Sequence, residues 1–93
     1  MKITDILTGP EKWTKGALAR SETGQTVYPT DEGAKCFCLI GAIIRAYPPE
    51  LDSQVRQKIF AVLDPKEHNI STWQDAPETT FEMVLEVARK AGV

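Results

Sequence analysis

The sequence is poor in the residues that metal, redox and disulfide chemistry require. Its only cysteines are Cys36 and Cys38, and its only histidine is His68. A C-x-C pair with one remote imidazole falls short of any zinc pattern. Read as part of a helix, the segment sets the two thiols about 200 degrees apart around the axis, where they share neither a metal ion nor a disulfide. The expectation is two reduced thiols packed as small hydrophobes, with no metal and no cofactor. No apolar run approaches the ~20 residues that cross a bilayer. The opening M-K-I-T-D-I-L has neither the apolar core nor the cleavage site of a secretory signal, so a cytoplasmic protein with no membrane partner is expected. Charge of one sign is also lacking: 11 basic and 13 acidic residues give a net charge of -2, and the signs alternate. No basic stripe is present to displace counterions from a nucleic acid. Nor is the chain acidic enough to mimic one. Internal repeats and low-complexity segments are absent.

What is present is enough apolar material for one core. At 93 residues and 42% hydrophobic, with two tryptophans and three phenylalanines, the chain closes one core and is too short for two, so residues 1–93 are expected to form a single globular domain. The run from Ala34 to Tyr47 is apolar almost all the way round a helix, which predicts a buried central helix. Thr30 would cap it, with Asp31 and Glu32 at the positive end of the dipole, and Pro48-Pro49 would stop it. Phe37, Ile40, Ile43, Ile44 and Tyr47 form a bulky face. Cys38, Gly41 and Ala42 form a narrow one that ends in Arg45, and Gly41 there should let another backbone come close.

Around this centre the pattern places a short helix from Thr4 to Thr8 and a second start at Gly9-Pro10, with Trp13 and Ala17 on one side. Gly24 marks a turn, and a small hairpin pairs the neighbourhood of Ala19 with that of Val27. A helix from about Glu50 to Leu63 carries the stripe Leu51, Val55, Ile59, Val62 and Leu63. The polar connection from Lys66 to Pro77 reads as a loop pinned by Ile70 and Trp73. Thr79 with Glu82 reads as a capping box that opens a last helix, whose buried face is Phe81, Val84, Leu85, Ala88 and Ala91. Met83 and Val87 widen that face to about 200 degrees, more than a surface helix needs. The fold expected is mainly α: a single-domain bundle of four or five helices around a buried central helix, with a small β-hairpin.

Three local patterns occur in order: W-T-K-G-A-L-A-R at Trp13 to Arg20, C-L-I-G-A at Cys38 to Ala42, and W-Q-D at Trp73 to Asp75. Their order and spacing resemble a domain-of-unknown-function family of small bacterial and phage proteins, whose last pattern usually reads W-N-D. The likeness runs from about Trp13 to Ala91. It implies a bacterial or phage origin and brings no activity, substrate or catalytic set.

Five residues of these patterns make a candidate ligand site: Trp13, Arg20, Cys38, Trp73 and Asp75. The indoles would be walls, Arg20 an anion anchor and Asp75 a hydrogen-bond acceptor. The competing reading is a packing cluster, in which the tryptophans fill the core. Arg45 offers the same choice between binding an anion and complementing a helix C-terminus. A cysteine nucleophile would need a thiolate and a base within reach. With Cys38 in mid-helix and His68 in an exposed loop, that reading is set aside. The carboxylate pairs Asp31-Glu32 and Glu82-Glu86 are accounted for by capping and charge patterning. The expected function is therefore non-enzymatic. One version is an interaction protein directed at a host factor, or at a second copy of itself, through Met83 and Val87. The other binds or sequesters a small anionic, nucleotide-like ligand in the five-residue pocket.

Overall fold

A strand and a helix meet at Cys38, and the rest of the fold is arranged around that junction. The computed structural model describes residues 1–67 and 69–93; His68, the imidazole weighed as a catalytic base, lies outside the described residues. In chain order the elements are α1 (Ile3–Ile6), a 3-10 turn (Pro10–Lys12), β1 (Ala19–Ser21), β2 (Ala34–Phe37), α2 (Leu39–Ala46), α3 (Pro49–Val62), α4 (Ile70–Asp75) and α5 (Phe81–Ala91). The architecture is mainly helical with a small two-stranded antiparallel sheet, as expected.

The long helix expected over Ala34–Tyr47 is two elements. Ala34–Phe37 forms β2, in register with β1 through Ala19↔Phe37, Arg20↔Cys36 and Ser21↔Ala34, with a bulge between Arg20 and Ser21. A continuous apolar run has no period, so a buried strand followed by a buried helix looks the same as one buried helix. The break is made by Cys38. Its backbone is extended, and its Sγ accepts from the Gly41 N–H at 3.3 Å, which caps α2. Thr30 consequently starts no helix. The segment there is turned instead, with the Asp31 N–H bonded to the Tyr28 carbonyl and the Gly33 N–H to Asp31 Oδ1. Cys36 and Cys38 therefore stand on a strand and at a helix cap, not on opposite sides of one helix.

The first five residues of α2, Leu39 to Ile43, are all buried. Gly41 permits this. A Cβ at that position would lie 1.8 Å from the Leu18 carbonyl oxygen, and the same oxygen accepts from the Cys38 N–H at 3.1 Å. The expected close approach of another backbone is thus made by the residue that leads into β1.

The segment after Pro10 turns only once. Trp13 is extended and bridges to Phe37, and the Thr14 N–H bonds the Phe37 carbonyl at 3.0 Å. With that N–H taken by the sheet and Gly16 at φ 79°, the helix that would have aligned Trp13 with Ala17 does not form. Val27 N–H does bond the Ala19 carbonyl, at 3.0 Å, but the ladder partner of β1 is β2. In α3 the stripe narrows to Val55 and Ile59, with Leu63 just beyond the helix. Leu51, in the first turn, remains 39% exposed. The expected loop over 66–77 contains α4, capped by Asn69 Oδ1 accepting from the Thr72 N–H at 2.7 Å. One buried polar residue in six, Gln74, hides its period. The cap of α5 is Thr80, whose Oγ1 accepts from the Met83 N–H at 3.3 Å. Thr79 is buried and donates to the Trp73 carbonyl at 2.6 Å, so it joins the end of α4 to the start of α5. Ile3, Leu7, Leu39, Ile43, Ile59 and Val84 are fully enclosed and bring α1, α2, α3 and α5 together. Among the described residues no helix is long and apolar enough to cross a membrane.

Candidate binding site

The last turn of α4 presents Trp73, Gln74 and Asp75 in succession, and the middle one organises the neighbourhood. Gln74 is 1% exposed. Its Oε1 accepts from the Trp13 indole N–H and from the Leu39 N–H, the latter at 2.9 Å. Its Nε2 donates to the Thr14 carbonyl at 3.3 Å and to Asp75 Oδ1 at 2.7 Å. The Leu39 N–H is one of the amides that a helix start leaves without a partner of its own. A single side-chain amide therefore ties the N-terminus of α2, the extended segment at Trp13 and the end of α4. Asp75 Oδ1 also accepts from the Gly16 N–H at 3.2 Å. Lys15 Nζ donates to the Ala76 carbonyl at 2.6 Å and lies 5.3 Å from the centre of the Trp13 ring.

Arg20 braces the loop beside this cluster. Its Nε donates to Thr14 Oγ1 at 3.2 Å, Nη1 to the Gly24 carbonyl at 3.2 Å and Nη2 to the Lys15 carbonyl at 3.4 Å. Each guanidinium nitrogen thus has an acceptor within the chain. Trp73 is 9% exposed and belongs to the core. Trp13 is half-buried, its ring tilted against Phe81 at 6.3 Å between centroids. Trp13 and Asp75 are linked through Gln74, and Arg20 reaches the same neighbourhood through Thr14, whereas the Trp73 side chain lies in the core.

Cys38 stands at the N-terminus of α2, which is where a thiol is ordinarily made acidic. The outcome is the reverse. Burial pushes its pKa up, the Asp75 carboxylate adds to the rise, and the N–H groups of Gly41 and Ile40 offset it only in part. The thiol stays protonated because desolvation outweighs the helix terminus. Among the described residues no three His, Cys, Asp or Glu side chains are grouped to hold a metal ion.

Open concave surface lies along α3. A groove of about 510 Å³ runs between α3 and the start of α4, with Ile40, Phe60 and Ile70 as its apolar wall and Ser53, Gln57 and Asn69 among its polar margin. It shares Asp52, Ser53 and Arg56 with a second groove of about 800 Å³, lined also by Tyr28, Arg45 and Tyr47. Phe60 is 45% exposed. On α5, Met83 is 38% exposed, whereas Val87 is half-buried against the core. Most of the wide apolar arc of α5 is consumed by the fold, and Met83 alone projects.

Sequence reasoning missed Gln74 and Phe60. The first could be suspected as the polar residue between the W and D of an ordered pattern. The second is an aromatic one place round from Ile59, outside the apolar stripe of α3. No curated protein and no solved structure matches the chain. The model of a family of unknown function, DUF6197, matches residues 2–92.

Proposed function

We propose, for a chain that belongs to the DUF6197 family of unknown function, that it is a non-enzymatic binding module which docks a peptide segment of a protein partner in the groove between α3 and α4. The observation that carries this reading is Phe60. A phenyl ring 45% exposed, beside Ile40 and Ile70 and bordered by Ser53, Gln57, Asn69 and the ion pair of Asp52 with Arg56, is an apolar floor with a polar rim, the form in which proteins receive short segments of one another. Covering the exposed 45% of such a ring supports an anchor contact of roughly 0.7 to 1.4 kcal/mol. A host factor, the partner expected from the sequence, is one protein of this kind.

The five-residue pocket has less support. The polar groups of Arg20, Asp75 and Trp13 are engaged with the chain itself, which leaves an anion few donors.

The test is photo-crosslinking with benzoylphenylalanine at Gln57, followed by titration of the identified partner, in purified form, against Phe60→Ser and Met83→Ser. Phe60→Ser is expected to weaken binding about three- to ten-fold, a loss of about 0.7 to 1.4 kcal/mol, while Met83→Ser leaves it unchanged. Equal affinity for the parent and Phe60→Ser overturns the reading, and a loss confined to Met83→Ser moves the interface to α5.

A further inference from the structure

Resting on the groove reading above, we infer that the docked segment is acidic as well as apolar, with an Asp or Glu side chain taken by Arg45 at the far end of the same surface. Arg45 stands in the last turn of α2, and its guanidinium is already fixed. Nη1 donates to the Pro29 and Asp31 carbonyls, each at 3.0 Å, and Cζ lies 5.7 Å from the centre of the Phe37 ring. These contacts hold the group without neutralising it. Among the described residues the ion pairs are Arg56 with Asp52 and Lys90 with Glu86, and Arg45 has no carboxylate within ion-pair distance. Its Nε and Nη2 have no acceptor there either. An exposed guanidinium, immobilised and with two donors unspent, matches the two oxygens of a carboxylate, and little side-chain entropy remains to be lost on binding.

The surface connects this cation to Phe60. The two grooves meet at Asp52, Ser53 and Arg56, and Arg56 with Asp52 forms a neutral pair between them. The Arg45 end is also the N-terminal end of α3, where the helix dipole is already matched by Glu50 and Asp52, so the attraction for an acid there rests on Arg45 itself. Asp52 and Phe60 are eight residues apart on one helix, a rise of about 12 Å at 1.5 Å per residue. An extended segment covers that distance in about four residues, and the step beyond Asp52 to Arg45 adds one or two. The partner segment therefore carries its acidic side chain about five or six residues from its apolar anchor.

Selection of a random dodecapeptide library displayed on phage, against the full chain, Arg45→Gln and Phe60→Ser, tests this. Peptides recovered on the parent protein are expected to pair an Asp or Glu with a Leu, Ile, Phe or Met at that spacing. Arg45→Gln should weaken a recovered peptide about ten-fold, replacement of the peptide's acid by Ala should do the same, and the two changes together should cost no more than either alone. Binding by the parent should also fall as salt is raised, and binding by Arg45→Gln should not. Peptides that need Phe60 but carry no acid, or that bind Arg45→Gln as tightly as the parent, overturn this inference and leave the groove standing. Peptides indifferent to Phe60→Ser overturn the groove and this inference with it, as does a selection that enriches nothing.

Discussion

Replacing Gly41 by alanine sets two physical effects of opposite sign against each other. Gly41 is in the first turn of α2, where alanine is favoured over glycine by at most the helix-interior value of about 0.8 to 1 kcal/mol. On propensity alone the variant gains stability. The packing says otherwise, because the new Cβ would stand 1.8 Å from the Leu18 carbonyl oxygen and 2.8 Å from its carbon. Ordinary contact between such atoms begins near 3.5 Å, so α2 and the segment before β1 must part by roughly 1.5 Å or more. Overpacking of this size costs about 3 kcal/mol, the upper end of its usual range. Parting also stretches the bond from the Cys38 N–H to the Leu18 carbonyl, a further loss of about 1 kcal/mol. Net of the propensity gain, Gly41→Ala should destabilise by about 3 kcal/mol. For a domain of this size, where each kcal/mol moves the midpoint by about 4 to 8 °C, Tm should fall by roughly 12 to 24 °C. Thermal and urea melts followed by tryptophan emission, with the exposed Ser53→Ala as control, measure it. A Tm unchanged or raised by a few degrees would show that no backbone lies against Gly41.

Three other expectations follow from the cluster around α4. Gln74→Leu preserves volume but strands the Trp13 indole N–H and the Leu39 N–H; at about 1 to 3 kcal/mol per buried unpaired donor, urea denaturation should show a loss of roughly 2 to 5 kcal/mol, and a loss below about 1 kcal/mol would mean water replaces the amide without penalty. Because burial raises the Cys38 pKa, the unfolded chain releases that proton first, so stability is complete below the ordinary thiol range and declines as pH climbs from about 8.5 toward the folded value. Cys38→Ala should flatten the decline, and iodoacetamide under native conditions should label Cys36 well before Cys38; equal labelling rates refute the burial. Arg20→Ala removes three hydrogen bonds and should lower stability by about 1 to 2 kcal/mol, with tryptophan emission of parent and variant alike indifferent to added nucleotide. Saturable quenching of the parent but not of Arg20→Ala would restore the anion pocket.

Much of this fold is legible in the sequence wherever a period exists. Val55 with Ile59 and Val84 with Ala88 recur at helical spacing on α3 and α5, Pro48-Pro49 separates α2 from α3, and the small face of Gly41 marks a backbone approach. Legibility ends where the period does. From Ala34 to Ile44 nearly every residue is apolar or small, so no pattern separates β2 from α2, and the thiol that caps the helix looks like one more hydrophobe. In α4 the buried face includes an amide. At Thr79-Thr80 two adjacent hydroxyls compete for one cap, and the choice depends on the Trp73 carbonyl, which only tertiary packing brings to Thr79. The site divides in the same way. The W-x-x-G, C-x-x-G-A and W-Q-D patterns bracket the cluster, but the residue that joins them is Gln74, the one between the Trp73 and Asp75 that the pattern singles out. The groove beside Phe60 has no local signature, since its walls come from α2, α3 and α4.

The hydrogen bonds from Trp13 to Gln74 and from Lys15 to the Ala76 carbonyl each span 61 positions, and this separation bears on the order of folding. Bringing ends that far apart together in a disordered chain costs about 3.6 kcal/mol in loop entropy, before a constant term. Each such bond returns about 1 kcal/mol, so the clasp does not nucleate collapse. The apolar contacts of α1, α2, α3 and α5 have to condense first, and the polar clasp then locks a chain whose ends are already near. Substitutions at Trp13, Lys15 and Gln74 should accordingly accelerate unfolding and leave the folding rate almost untouched. A protein built this way is closed last at its most hydrogen-bonded place, so the cluster that looks most like a functional centre governs how long the native state survives.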